Sequence, residues 1–134
     1  MSLLEPNVIV DFEVENEIVF LRISNHSDVE AIDITLKPNR IIYGLHKKQR
    51  INNLKIFQGI KYLAPRKEIR IVINQIDHFF ILNTKPLYRF TIYFKNSIGK
   101  KIKKTIYHDL NIYRDIPRII NSNSSRNSVL DKDM

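Results

Sequence analysis

Five lysines crowd one short segment of this chain: Lys95, Lys100, Lys101, Lys103 and Lys104. Ammonium groups at that density can neutralise an anionic partner, whether nucleic acid, anionic lipid or an acidic protein. Tyr93 and Tyr107 flank the cluster, and aromatic rings among cations are what a base-stacking platform needs. Alternation along this stretch, however, predicts that one parity of its side chains is buried.

Charge is polarised along the whole sequence. Residues 1–35 hold 8 acids and one base, Arg22, for a net of −7, while residues 36–134 hold 6 acids and 21 bases, for a net of +15. A purely structural pairing also fits that polarity. If the first strand lay beside the last, Asp11, Glu13 and Glu15 would face Lys101 and Lys103 across a ladder. Opposite-charge cross-strand pairs contribute about 0.2–1 kcal/mol each. Lysine on an edge strand also discourages sheet-to-sheet aggregation. We take this pairing as the preferred expectation and an anionic partner as the alternative.

Other chemistry finds little support. His26, His46, His78 and His108 are far apart, and no two sit at ligand spacing. With 3 scattered Gly there is no phosphate-cradling loop, and with no Cys there is neither a disulfide nor a thiolate nucleophile. No Gly-x-Ser-x-Gly elbow is present. The early acids alternate along a strand, as solvated carboxylates do, so a converging carboxylate pair is not expected. Asn25-His26-Ser27 and Asn123-Ser124-Ser125 match the glycosylation acceptor pattern, which arises easily in an Asn-rich chain. The expectation is a non-enzymatic chain with no cofactor and no metal.

The elements that must position these residues are strands. Only 2 Ala stand against 23 Ile and 7 Val, a balance that disfavours helix. Thirteen Asn accompany the few Gly and are expected to take over the left-handed positions of turns. Ile, Lys and Asn together exceed a third of the chain, which the codons of an AT-rich genome would also produce.

Val8, Val10, Phe12 and Val14 alternate with acids, as on a half-buried strand. Residues 18–24 are apolar on both parities, as in a central strand. Ile32, Ile34 and Leu36 mark a third strand, ended by Lys37-Pro38-Asn39. Residues 40–53 are ambiguous: Ile41, Ile42 and Tyr43 suit a short edge strand, and Lys47-Lys48-Gln49-Arg50 a solvated loop. Extended chain is predicted over 54–63, a turn at Ala64-Pro65-Arg66-Lys67, and another strand through Ile69, Ile71 and Ile73. Phe79-Phe80-Ile81-Leu82 is an apolar run without clear period, read as a connection capping the open end of the fold rather than as an exposed docking patch.

The clearest element is a hairpin. Tyr88, Phe90, Ile92 and Phe94 share one parity, Asn96-Ser97-Ile98-Gly99 has type I turn chemistry, and Ile102 to Tyr107 returns. Lys104 shares the parity of Ile102 and Ile106, which requires a bulge there or a strand end outside the core. Residues 109–120 suit either an extended tail or one helical turn before Pro117. Residues 121–134 are polar and are expected to be disordered.

Val19-x-Leu21-x-Ile23-x-Asn25, then Ala31 and Ile34-x-Leu36, resembles the second and third strands of bacterial immunoglobulin-like domains. Leu63-x-Pro65 before Ile69-x-Ile71 resembles their turn into strand E. Tyr88-x-Phe90-x-Ile92-x-Phe94 followed by Gly99 resembles their F–G hairpin, with Tyr88 at the tyrosine corner and Phe90 where antibody domains carry the second cysteine. The resemblance covers roughly Val8 to Asp109 and departs from antibody domains in lacking the cysteine pair and the tryptophan.

The expected fold is all-β, an immunoglobulin-like antiparallel β-sandwich of seven to nine strands over residues 1–120. The function this implies is a structural or protein-interaction module, with a protein partner of unknown identity. The alternative is a binder of nucleic acid or an anionic surface through the basic hairpin. No run approaches the ~20 apolar residues of a membrane helix, and no signal peptide is visible. Met1-Ser2-Leu3 is also what a cloning remnant looks like. A cytoplasmic location is therefore the default, and a soluble domain of a membrane-anchored parent the alternative.

Overall fold

The computed structural model describes residues 5–46 and 49–114. Lys47 and Lys48, the end of the region 109–120 and the polar tail 121–134 lie outside the described residues.

Seven strands form two antiparallel sheets. β1 (Val8–Glu15) and β2 (Ile18–Asn25) make a hairpin paired in continuous register from Val8 opposite Asn25 to Glu15 opposite Ile18. Its two-residue loop places Asn16 and Glu17 at φ 52° and 64°, the geometry that matches strand twist. β5 (Glu68–Gln75) pairs with the other side of β2, with a bulge between Val19 and Phe20. The second sheet is built on β3 (Ala31–Pro38), which lies between β4 (Ile60–Leu63) and β6 (Leu87–Lys95). β7 (Lys101–Asp109) completes it beside β6. The sheet orders are β1-β2-β5 and β4-β3-β6-β7.

The alternating residues of both sheets meet in one core. Val8, Val10, Leu21, Ile23 and Ile73 from the first sheet and Ile34, Phe90 and Ile92 from the second are buried there. An aromatic cluster spans the gap. The Phe12 ring centroid lies 5.3 Å from Tyr88, 5.9 Å from Phe90, 5.5 Å from His108 and 6.5 Å from Phe79. Such pairs add about 0.5–1.5 kcal/mol beyond area burial.

Several expectations are corrected. The stretch 54–63 is not wholly extended: α1 (Lys55–Gln58) precedes β4 and buries Phe57. Ile41–Tyr43 makes no strand. A single bridge joins Tyr43 to Arg50, followed by a 3-10 turn at Ile51–Asn53. The apolar run at 79–82 is the end of a helix, α2 (Ile76–Leu82), which buries Ile76 and Phe79. At the C-terminal side, a 3-10 turn at Leu110–Tyr113 buries Leu110. The Tyr88 hydroxyl does not make the tyrosine-corner bond. It has no hydrogen-bond partner among the described residues, and burial pushes the phenol well above its usual range.

Asparagine also works differently from expectation. Of the four non-glycine residues at positive φ among the described residues, only Asn16 is Asn; the others are Glu17, Asp33 and Arg66. The buried asparagines bind loops with their side chains instead. The Asn25 amide donates to the carbonyls of Val29 at 2.8 Å, Leu63 at 3.2 Å and Ala64 at 3.3 Å. Asn83 donates to Tyr43 and Phe79 carbonyls and accepts from the Tyr43 N–H at 2.8 Å. Asn74 donates to the Gly44 carbonyl at 2.8 Å. Buried backbone polar groups need partners, and these side chains supply them where no ladder does.

Phe12 faces the core, whereas Phe20 faces outward beneath Arg70, whose guanidinium lies 4.0 Å from the ring centroid. In urea unfolding, Phe12→Ala is expected to lose about 3–5 kcal/mol and Phe20→Ala markedly less. Equal losses would overturn this assignment of faces.

Candidate anion-binding face

The basic hairpin turns through Asn96-Ser97-Ile98-Gly99 as its sequence requires. Gly99 N–H donates to the Asn96 carbonyl at 3.0 Å, and Gly99 sits at φ +86°, the left-handed position that closes such a loop. The Asn96 side chain accepts from the N–H groups of Ile98 and Lys100 at 3.1 and 2.8 Å, fixing the turn from within.

From this turn β6 and β7 run in unbroken register, from Lys95 opposite Lys101 to Leu87 opposite Asp109. Of the two alternatives at Lys104, the bulge is absent. Strict alternation therefore divides the five lysines. Lys95, Lys101 and Lys103 lie on the solvent face of the four-stranded sheet. Lys100 and Lys104 reach the other way, toward the edge of the first sheet.

That second direction is a seam between the sheets. Lys100 pairs with Glu5 at 2.5 Å, the Lys104 ammonium donates to the Asn7 side-chain oxygen, and His108 Nε2 meets the Val10 carbonyl at 2.7 Å. Burial draws the Lys104 ammonium below the usual lysine range. β7 thus lies beside the first strand through side chains, with no ladder between them.

The expected pairing of Asp11, Glu13 and Glu15 with Lys101 and Lys103 is consequently wrong. The ladder partner of β1 is β2, and the acids find their ion-pair partners within their own sheet. Arg22 grips Asp11 with two bonds, of 3.0 and 2.8 Å, and approaches Glu13 at 3.5 Å. Arg70 pairs with Glu13 at 3.1 Å and with Glu15 at 2.7 Å. The Asp11 hydrogen bond holds Arg22 still further above its ordinary range, as Glu15 does Arg70. Lys101 and Lys103 have no ion pair among the described residues, and Lys95 reaches Asp33 at 3.4 Å.

The solvent face on which they stand is ordered in rows across the strands. Ile32, Lys95 and Lys101 share a row, with Tyr62 opposite Ile32. Thr35, Tyr93 and Lys103 form the next, then Lys37, Thr91 and Thr105, then Arg89 and Tyr107. The Lys37 and Lys103 ammonium groups lie 5.3 and 5.9 Å from the Tyr93 ring centroid, one on each neighbouring strand. Tyr93 is 38% exposed, Tyr62 56% and Tyr107 74%. Two shallow depressions share the walls Asp33 and Thr35. One, of about 560 Å³, extends under Tyr93, Lys95, Lys101 and Lys103, and the other, of about 570 Å³, under Lys55 and Lys61.

Sequence reasoning found the lysines of the hairpin and the two flanking tyrosines. It missed Lys37, Lys61 and Tyr62, which β3 and β4 bring to the same face from distant parts of the chain. The alternation of Asp33, Thr35 and Lys37 outward from β3 was the available signal. Among the described residues, no group of three or more His, Asp or Glu side chains could hold a metal ion. No described helix is long and apolar enough to cross a membrane.

A family model described as a domain of unknown function (DUF8453) matches residues 3–114, most of the chain. No curated protein and no solved structure matches.

The seam carries a pH signature. The folded chain holds Lys104 below its usual range, while unfolding restores it to about 10.4. Between those two values the unfolded state binds more protons, so this group adds stability as pH rises through that alkaline window. Below the folded value the cost of its buried charge is fully present. In urea unfolding from pH about 8 to 10.5, the alkaline gain should be smaller in Lys104→Met than in the native chain. Equal slopes would place Lys104 in free solvent.

Proposed function

We propose that this chain, which belongs to the DUF8453 family, is an immunoglobulin-like sandwich that works as a non-enzymatic docking module for an anionic partner. The strand order supports the first part. In immunoglobulin lettering the sheets correspond to A-B-E and C′-C-F-G, with the fourth strand moved to the CFG sheet. Fold does not fix function, so the role rests on the surface.

The single observation behind the role is the basic face of the four-stranded sheet, where Lys101 and Lys103 have no ion pair among the described residues. Lys101 and Lys103 lack the acidic partners that would have made their charge structural, since Arg22 and Arg70 already occupy those acids. Lys37, Arg89 and Lys95 extend the positive field across β3 and β6. A field of one sign on an open, nearly flat surface attracts polyanions and speeds their encounter. The non-enzymatic reading is supported by the shape of the face: its depressions are open, and the titratable groups along them are lysines, the Tyr93 phenol and one paired carboxylate.

A titration with heparin as the polyanion probe tests this reading. Affinity should fall steeply between low and physiological salt, as counterion release requires. Lys101→Glu with Lys103→Glu should weaken binding by more than about tenfold while leaving the circular-dichroism spectrum unchanged. Binding that ignores salt, or survives the double charge reversal, would remove the basic face as the docking surface.

A further inference from the structure

We infer that the anionic partner is single-stranded nucleic acid, its bases stacked on Tyr93 and Tyr107 and its phosphates met by the flanking lysines. This rests on the docking role proposed for the basic face and names the occupant.

A surface made only for charge needs no exposed rings. This one places Tyr93 and Tyr107 on the same solvent face as Lys95, Lys101 and Lys103. Every base offers a π-face, so an exposed tyrosine can take any base of a strand. Acidic side chains and sulfated sugars offer no such surface to a ring.

The placement suits a strand laid along the sheet. Tyr93 stands opposite Lys103 and Tyr107 opposite Arg89, so the two rings lie four residues apart along the ladder and one strand apart across it. At ordinary strand geometry that is about 14 Å, too far for one base to bridge and suited to two different bases of one chain. Thr91 and Thr105 lie between them, offering hydroxyls to sugars or base edges. Lys37 and Lys103 flank the Tyr93 ring, so a base stacked there would bring its phosphates between two ammonium groups. A duplex is poorly served, because its base faces are already stacked and only its phosphates remain for the lysines.

Fluorescence anisotropy with a labelled oligothymidine, an oligouridine, a duplex of equal length, heparin and phosphatidylserine vesicles tests the assignment on the full chain. Three proteins are compared: native, Tyr93→Leu with Tyr107→Leu, and Lys101→Glu with Lys103→Glu. Both tyrosines are exposed, so their replacement should leave the fold intact, which circular dichroism checks. The chain has no tryptophan, so quenching of tyrosine emission gives a second readout of stacking.

The expected result is preference for the single strands over the duplex. The tyrosine pair should weaken single-strand binding by at least about tenfold and abolish most of the quenching, with heparin affinity unchanged. If the lysine reversal abolishes binding but the tyrosine pair changes nothing, the nucleic-acid assignment fails and the docking role stands. Equal affinity for duplex and single strand, or preference for vesicles or heparin, has the same meaning. If no polyanion binds, or binding ignores the lysine reversal, both fail.

Discussion

Phe12 is where the two sheets become one protein. Its ring, on an edge strand of the first sheet, touches Tyr88 and Phe90 of β6, His108 of β7 and Phe79 of α2. A sheet that buries one parity must present the other to water. Anchoring Tyr88 and Phe90 against Phe12 therefore leaves Arg89, Thr91, Tyr93 and Lys95 facing out, and the β6–β7 register aligns Lys101, Lys103 and Tyr107 with them. The basic aromatic face is the reverse side of the core.

The charge polarity of the sequence survives folding as a separation between outer faces. The acids of β1 stay on the three-stranded sheet, where arginines from β2 and β5 meet them. Arginine suits this role because its planar fork engages a carboxylate through two bonds, as Arg22 does with Asp11. The four-stranded sheet carries lysines, compact charges on flexible stems that partner less strictly. On one face two arginines tie the acids into a shared ion-pair network, and on the other Lys101 and Lys103 stand without an ion pair among the described residues.

The strands were legible wherever alternation was long. β1, β3, β5 and β6 announce themselves by period, and the β6–β7 turn by Asn96 and Gly99. Short elements were not legible. Four residues of α1 and seven of α2 are too few for a helical period to emerge, and Phe79-Phe80-Ile81-Leu82 shows only that something apolar must be covered. The face itself was half legible. Charge density within the hairpin singled out its lysines and the tyrosines beside them, but the contribution of β3 and β4 depends on which strands become neighbours, a long-range choice that local pattern does not encode. The same gap misplaced the partners of Asp11 and Glu13. Whether β1 ladders to β2 or to β7 decides whether those acids meet arginine or lysine, and both arrangements satisfy the local sequence.

Composition alone assigns the abundance of asparagine to codon bias, yet three of the buried ones are chemically committed. The Asn25 nitrogen faces three carbonyl oxygens at once. Exchange of that single NH₂ for oxygen, as in hydrolysis of the amide with age, would turn these attractions into repulsions at a buried position. The clamps at Asn25, Asn74 and Asn83 thus make the chain's loops sensitive to a one-atom change that hydrophobicity scales scarcely register.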